Sequence, residues 1–192
     1  MHVWRREGKL MGDHKKTVTS LSIPEFVDSL TMFLKRLASL GVKQQRILSD
    51  WLGLWSKYLT AESNFDPKRL IYYKRGDIVH ANFGYNVGSE LGGTHYAVVV
   101  ENNNNISNGL VTVVPLSSLG TGKTKSDLHK AEIYLGKIVG DVECFAMPLQ
   151  IRPISKIRII KPMHKTDGKI TLTGDLLDKI DEQIKIFFTK QK

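Results

Sequence analysis

The sequence predicts a mainly β domain with a C-terminal helix, preceded by an N-terminal helical hairpin. Three observations indicate this α+β order. Two stretches with apolar residues at helical spacing come first, between positions 21 and 62. Six short apolar stretches separated by Asn-, Gly- and Pro-rich turns follow, a pattern typical of a small β-barrel. A last amphipathic stretch, near the end of the chain, is expected to close the barrel as a helix.

The first predicted helix begins at Ser22, where Ser22 and Glu25 form a capping-box pattern around Pro24. Its apolar residues recur at helical spacing up to Gly41, which is a suitable C-cap. The second helix is predicted over residues 43–59. Two helices cannot bury such apolar stripes alone. The hairpin is therefore expected to dock on the β domain, to pair with a second copy or to hold a partner.

Shifts in composition along the chain predict the domain organisation. Residues 1–20 are basic and without periodicity, which predicts a flexible N-terminus. Residues 21–62 form the hairpin, and residues 63–71 form a polar linker in which Pro67 disfavours a helix. The β domain is assigned to residues 72–192.

Six strands are expected in the β domain, each bounded by turn residues. The first two form a hairpin whose connection is much longer than folding requires and contains several glycines, and such long loops are commonly functional. Asp175 is expected to cap the last helix. The predicted strands lie near residues 76–83, 95–101, 109–116, 131–135, 142–146 and 154–160.

Composition narrows the class of protein. The net charge of +9 and a pI of about 9.6 favour a polyanion or an acidic protein as partner. A single cysteine, Cys144, excludes an intramolecular disulfide and a multi-cysteine zinc site, and favours a reducing compartment. No apolar run approaches the roughly 18 residues of a membrane span, and no signal-peptide pattern is found. A cytoplasmic protein that does not associate with membranes is expected.

Four segments occur in an order and spacing that indicate a family. They are the long-looped hairpin 74–100, the apolar strand 111–117 that ends in Ser117, the Gln-Ile-Arg-containing stretch 150–156 and the amphipathic stretch 176–188. Together they cover roughly residues 72–190 and resemble the MazF/PemK (Kid-like) family of toxin–antitoxin endoribonucleases. The helical hairpin has no counterpart in this resemblance.

The resemblance implies an SH3-like small β-barrel of the MazF/CcdB type. It also implies a sequence-selective, metal-independent mRNA interferase of a type II toxin–antitoxin system. Such an enzyme cleaves single-stranded RNA to 2′,3′-cyclic phosphate and 5′-hydroxyl ends and needs no cofactor or metal. The implied partners are mRNA, a cognate acidic antitoxin and a second copy of the chain in a homodimer.

Two residues are the catalytic candidates that the resemblance implies. His95 falls where the family has an arginine, and Tyr96 replaces the proline that follows it. A histidine, with an ordinary side-chain pKa of about 6.5, can accept or donate a proton near neutral pH but supplies less fixed charge than arginine. Ser117 falls where the family has a Thr or Ser that hydrogen-bonds the scissile phosphate. Ordinary turn chemistry is the alternative interpretation of Ser117.

Further residues are predicted to support the site or to bind RNA. Glu90, Gly92 and Gly93 belong to the supporting loop, where Glu90 could equally order the loop through hydrogen bonds. His80 is interpreted as structural or exposed, and Trp51 and Trp55 as core residues. The predicted RNA-binding residues are Arg75, Tyr85, Asn86, Lys123, Lys125, Gln150 and Arg152. A bridge across the subunit interface is the alternative for Arg152, and a merely solvated loop is the alternative for Lys123 and Lys125.

A second, non-enzymatic function stays open because of the histidine at position 95. The alternative is a catalytically weakened or inactive MazF-like module that binds RNA or protein. Gyrase inhibition of the CcdB type is disfavoured, since the chain lacks the Trp-Gly-Ile terminus of those toxins.

Overall fold

A computed structural model describes residues 22–190 of the 192-residue chain, so the N-terminus predicted to be flexible, residues 1–20, lies outside the described residues. None of the described helices is long and apolar enough to cross a membrane. The helices are α1 (Ile23–Ala38), α2 (Val42–Glu62) and α3 (Gly174–Phe188). The strands are β1 (Ile78–Gly84), β2 (Gly93–Val99), β3 (Leu110–Ser118), β4 (Ile133–Val139), β5 (Val142–Ala146), β6 (Arg152–Ser155) and β7 (Ile159–Lys161).

Two compact units divide between Arg46 and Ile47, so α1 belongs to the first unit and most of α2 to the second. The predicted capping box at the start of α1 is confirmed, because the Ser22 side chain accepts from the Glu25 amide and the Glu25 carboxylate accepts from the Ser22 amide. The predicted C-cap at Gly41 is wrong. Ser39 is the cap, and its hydroxyl donates to a carbonyl of the last turn at 2.7 Å. The linker at residues 63–71 stays a prediction as a domain boundary.

Within the second unit, α2 packs against the β-sheet through part of its apolar side. Leu48 is buried, and the rings of Trp51 and Tyr58 approach the end of β1. Docking on the β domain, one of the three ways of covering the hairpin, is therefore found for α2.

The seven strands pair antiparallel in the order β4-β5-β3-β2-β1-β7, and β6 pairs with β3. The predicted fold class, a β-sheet with a C-terminal helix after N-terminal helices, is confirmed. The predicted closed barrel is wrong. Strands β4 and β7 lie at the two ends of this strand order, so the described sheet is open. The three-residue β7 pairs with β1 at only His80 and Ala81, which leaves too short an edge to continue the sheet.

The prediction of one continuous strand over residues 154–160 is wrong, because this stretch contains two strands. A 3-10 turn at Lys156–Arg158 separates β6 from β7. The Lys156 amide donates to the Gly109 carbonyl, and its buried ammonium donates to the Asn105 carbonyl at 3.0 Å. These bonds draw the backbone away from a continuous ladder.

The predicted cap of the last helix is also corrected. Thr173, in an extended conformation, is the N-cap of α3, and Asp175 lies in the first turn. A carboxylate in the first turn is favoured there by the positive end of the helix dipole.

Residues of the central strands β1, β2 and β3 alternate between two buried cores. We define the first face as the side of Val79, Ala97 and Val113 and the second face as the side of Val98 and Val114. The second face is covered by α3, whose Ile180 is fully buried. The two faces give neighbouring residues of one strand different surroundings.

Candidate active site

The two catalytic candidates lie on adjacent strands and on the same face. His95 pairs with Ala81 across the β1–β2 ladder, and Ala97 pairs with Pro115 across the β2–β3 ladder. Since side chains alternate along a strand, His95 and Ser117 both point to the first face. Both side chains are half-buried. Strand pairing thus brings together two residues that are 22 positions apart in the sequence.

The His95 ring is held by two contacts. Its Nδ1 lies 3.2 Å from the Leu116 carbonyl oxygen, next in sequence to Ser117. Its edge faces the Phe83 ring, with centroids 6.4 Å apart and planes at 73°. A carbonyl oxygen can only accept, so this bond requires the proton on Nδ1. The neutral ring then carries its basic lone pair on Nε2, which is the atom that can take a proton from a substrate.

The long loop, residues 85–92, closes through two glycines that we call the loop neck, Gly84 and Gly92. Gly84 has φ +91°, and a Cβ on Gly92 would lie 2.7 Å from the Gly84 carbonyl oxygen. Backbone approach this close is open only to glycine. The Asn86 amide nitrogen donates to the Phe83 and Leu91 carbonyls, so this predicted RNA-binding side chain fastens its own loop.

Gln150 and Arg152, both predicted to bind RNA, hold the loop from the β-sheet side. The Gln150 amide accepts from the Leu91 amide at 3.1 Å and donates to the Ser89 carbonyl at 3.0 Å. Arg152 donates to Gln150 and to the Leu91 carbonyl, and its guanidinium lies 5.6 Å from the centroid of the Phe83 ring. The sequence motif therefore lies against the loop and the ring that contacts His95.

Two of the supporting loop residues, Glu90 and Gly93, and one aromatic candidate, Tyr85, are exposed, whereas Gly92 is half-buried. Glu90 donates its amide to the Val87 carbonyl in a turn at the tip of the loop, and Tyr85 is 36% exposed. Gly93 has φ +80° at the start of β2. Tyr85 and Glu90 belong to the loop and Gly93 follows it, and all three stay predictions as functional groups.

Arg75 lies apart from the other candidates. Its guanidinium donates to the Val100 carbonyl and pairs with Asp181 of α3. Val100 follows β2 at the end opposite to His95, and five residues of strand span about 16 Å. Arg75 is therefore not brought together with the loop.

The concave surface near Ser117 continues towards Gln150. A cavity of about 310 Å³ is lined by Ser117, Lys123, Glu132 and Phe145, among others, and Phe145 is the partner of Ser117 in the β3–β5 ladder. A second cavity of about 280 Å³ shares Glu132 and is lined also by Ser89, His129 and Gln150. Lys123 thus lies beside Ser117, while Lys125 begins an exposed 3-10 turn in the same loop.

A third cavity, of about 370 Å³, is also lined by His95 and Ser117 but mostly by residues of the second face, such as Tyr96 and Leu116. His80 contributes to it and stacks on Tyr96 with ring centroids 4.4 Å apart. Burial lowers the pKa of His80, and the neighbouring positive charges of His95 and Lys161 lower it further. This histidine is therefore biased towards its neutral form.

Sequence reasoning missed the partners that hold the candidates in place. The Leu116 carbonyl carries no sequence signal, because every residue has a carbonyl. The interpretation of Trp51 and Trp55 as core residues is wrong for Trp55, which is 45% exposed, and the half-buried Trp51 ring contacts the loop neck, where a Cβ on Gly84 would lie 2.9 Å from it. A glycine at the root of a long loop is the sequence signal for this contact.

An antiparallel sheet with a long-looped hairpin and a C-terminal helix over one face agrees with the architecture expected for the small toxin domains named above, except that the sheet is not closed. Residues 74–188 match the family model described as the PemK-like, MazF-like toxin of type II toxin–antitoxin systems. The chain belongs to this family. The resemblance carried by four sequence segments is thereby confirmed, and both α1 and α2 lie outside the matched range.

Two solved structures from Deinococcus radiodurans are similar to this chain. Crystal form I of its MazF is 19% identical, with a TM-score of 0.42. Crystal form II of its MazE–MazF is 20% identical, with a TM-score of 0.39. Each comparison covers 60% of this chain and 96% of the other. No curated protein is found to match in sequence. Membership of the family rests on the match over residues 74–188.

Proposed function

We propose that the chain is an endoribonuclease toxin that cleaves single-stranded RNA without a metal ion, with His95 as the group that transfers the proton. The observation that carries this proposal is the bond between His95 Nδ1 and the carbonyl of Leu116, the residue before Ser117, which leaves Nε2 as the basic atom of the ring. Histidine at the arginine position of the family then changes the chemistry of the site without removing it.

The reaction we propose uses the 2′-hydroxyl of the RNA as nucleophile. His95 Nε2 accepts the 2′-hydroxyl proton while the 2′ oxygen forms a bond to phosphorus. The bond from phosphorus to the 5′ oxygen breaks, and that oxygen leaves with a proton supplied by solvent. The products are a 2′,3′-cyclic phosphate and a 5′-hydroxyl. The Ser117 hydroxyl donates to a phosphoryl oxygen and holds the phosphate in line.

The surroundings of the two residues support a polyanionic substrate. Lys123 lines the cavity beside Ser117, and the whole chain carries a net charge of +9. Tyr85 offers an exposed ring on which an unpaired base can stack. We therefore propose mRNA as the substrate, with selectivity for a short sequence set by the loop of residues 85–92.

Membership of a toxin family of type II systems supports a protein partner. We propose an acidic antitoxin that covers the basic site, a homodimer as the active form and the cytoplasm as the compartment. Each is tested separately from the chemistry, by co-purification with the neighbouring gene product and by light scattering.

The experiment that tests the chemistry is cleavage of a long single-stranded RNA in EDTA by the purified chain from pH 5 to 9. We expect cuts at a short motif, with cyclic-phosphate ends. The rate should fall towards acid pH, because a protonated imidazole cannot accept a proton. His95→Ala should abolish the cuts.

Two results would count against the proposal. Cleavage by His95→Ala at the wild-type rate would remove His95 from the chemistry. Binding of RNA by the wild type, free of any antitoxin and without cleavage at any pH, would favour the non-enzymatic binding module.

A further inference from the structure

The helix α2 precedes the family-matched range, yet it contacts the part of the hairpin that carries His95. Trp51 and Tyr58 lie two turns apart on this helix, on the side that packs against the sheet, with ring centroids 6.3 Å apart. Both belong to the same compact unit as the β-sheet. Their partners on β1 are neighbours of the loop neck.

Trp51 closes one side of the loop neck. A Cβ on Gly84 would lie 2.9 Å from Trp51 Cζ2, so the indole packs directly on the backbone of this glycine. The Arg158 guanidinium lies 5.5 Å from the centroid of the indole and donates to the Phe83 carbonyl at 3.4 Å. Trp51 and Arg158 thus hold the two residues from which the loop departs.

Tyr58 is connected to the residue before His95. Its hydroxyl accepts from the Asn82 amide nitrogen at 3.2 Å, and the Asn82 amide oxygen accepts from the Thr94 hydroxyl at 2.8 Å. Asn82 and Thr94 face each other in the last regular pair of the β1–β2 ladder before its register shifts. Two hydrogen bonds therefore link α2 to the backbone that carries His95.

The loop has a second support on the opposite side. Gln150 and Arg152, inside the matched range, bond to the Ser89 and Leu91 backbone, as described above. These bonds hold the far end of the loop. The α2 contacts act on the end that leaves β1, together with the bond from Arg158 to the Phe83 carbonyl.

We infer that Trp51 and Tyr58 are positioning residues of the candidate active site, so that α2 is a fixed part of it. They hold the start of the loop and the ladder pair next to His95, and therefore the direction in which the imidazole points. This inference rests on the proposed function for its effect on cleavage, but its effect on the loop is measured independently.

The test compares two tryptophans of the same helix in the full-length chain. Trp51 contacts the loop neck, whereas Trp55 is 45% exposed. Amide hydrogen exchange should become about tenfold faster or more across residues 85–92 in Trp51→Ala, and should stay at the wild-type rate in Trp55→Ala. Trp51→Phe, which keeps an aromatic ring over Gly84, should restore most of the protection. Equal exchange in Trp51→Ala and Trp55→Ala would overturn the inference.

Cleavage kinetics separate positioning from substrate binding. Loss of alignment at the reacting atoms lowers kcat more than it raises KM. We expect Trp51→Ala to lower kcat about tenfold with KM changed less than about threefold. A rise in KM alone would contradict a positioning function and indicate lost RNA contacts.

Tyr58→Phe is the second variant, for the case that Trp51→Ala fails to fold. It removes one oxygen and keeps the packing of the ring. Exchange at residues 93–95 should become faster by about threefold, and an unchanged rate would overturn the contribution of Tyr58. If the wild type does not cleave RNA, the proposed function fails, while the exchange measurements still decide whether α2 holds the loop.

Discussion

The two faces of the central strands place neighbouring residues in different surroundings. On the first face, His95 and Ser117 lie next to the loop, and the histidine is tied to a carbonyl through Nδ1. On the second face, His80 stacks on Tyr96 beside a core covered by α3. Two histidines on paired strands thus project to opposite faces, although both line the cavity of about 370 Å³. The face of the sheet on which a side chain lies, more than its position in the sequence, therefore decides which polar residues can contact the same phosphate group.

The largest expected effect separates these two histidines. His95→Gln should lower RNA cleavage by about 100-fold or more, because it removes the proposed proton acceptor. His80→Gln should change the rate less than about threefold, since this side chain points to the other face. Single-turnover rates measured with the same RNA and with circular dichroism as a folding control test the pair. Equal losses in both variants would contradict the assignment of different functions to the two histidines.

A second matched pair is formed by adjacent serines at the end of β3. Ser117 shares the first face with His95, and Ser118 pairs with Cys144 on the second face. Ser117→Ala should lower kcat by about 10-fold to 100-fold, because the proposed donor to the phosphate is lost. Ser118→Ala is the control and should keep the wild-type kcat. A stronger effect at Ser118 would reverse the assignment of the faces.

Gly84 lies where the alternation between the two faces is interrupted, and the stability of the fold should be sensitive to a methyl group added at this position. The β1–β2 register shifts between Asn82 and Gly84, and Gly84 combines a positive φ with contact to Trp51. Gly84→Ala should lower the free energy of unfolding by about 1–3 kcal/mol. Gly109→Ala is the control, because a Cβ there would meet no atom within 4 Å. Urea denaturation measures both, and equal stability would show that the neck tolerates a side chain.

The smallest expected effect concerns the dependence of stability on pH. The pKa of His80 is lowered in the folded chain by burial and by the charges of His95 and Lys161, so below about pH 6.5 the unfolded chain binds this proton more readily. Stability should fall as the pH drops from about 6.5 through the folded pKa of His80. His80→Gln should reduce this loss. Urea denaturation of both proteins at pH 7.5 and 5.5 tests this, and a constant difference between them would contradict it.

The sequence predicted those elements whose signals are local. The Ser22–Glu25 capping box needs only neighbouring residues, and the apolar stretches of β1 to β5 were each found within a few residues of their observed bounds. The break between β6 and β7 was missed because it depends on Lys156 bonding to carbonyls about fifty residues away, at Asn105 and Gly109. Hydrophobic periodicity carries no information on such long-range bonds.

For the candidate site, the family resemblance located His95 and Ser117, and their assigned functions stay predictions. The sequence had no means of finding that Gln150 and Arg152 bond to the loop backbone, because the partners are main-chain atoms. It also grouped Arg75 with these residues on charge alone. The ion pair with Asp181, at the far end of β2, depends on how α3 packs.

The indole of Trp51 also makes the loop neck visible to spectroscopy. The chain has three tryptophans, Trp4, Trp51 and Trp55. A Trp4→Phe/Trp55→Phe double variant would leave a single tryptophan, packed on Gly84 and close to the guanidinium of Arg158. Its emission maximum and quenching by iodide would then report directly on the root of the loop. Binding of RNA or of an antitoxin could be followed in solution without any attached dye.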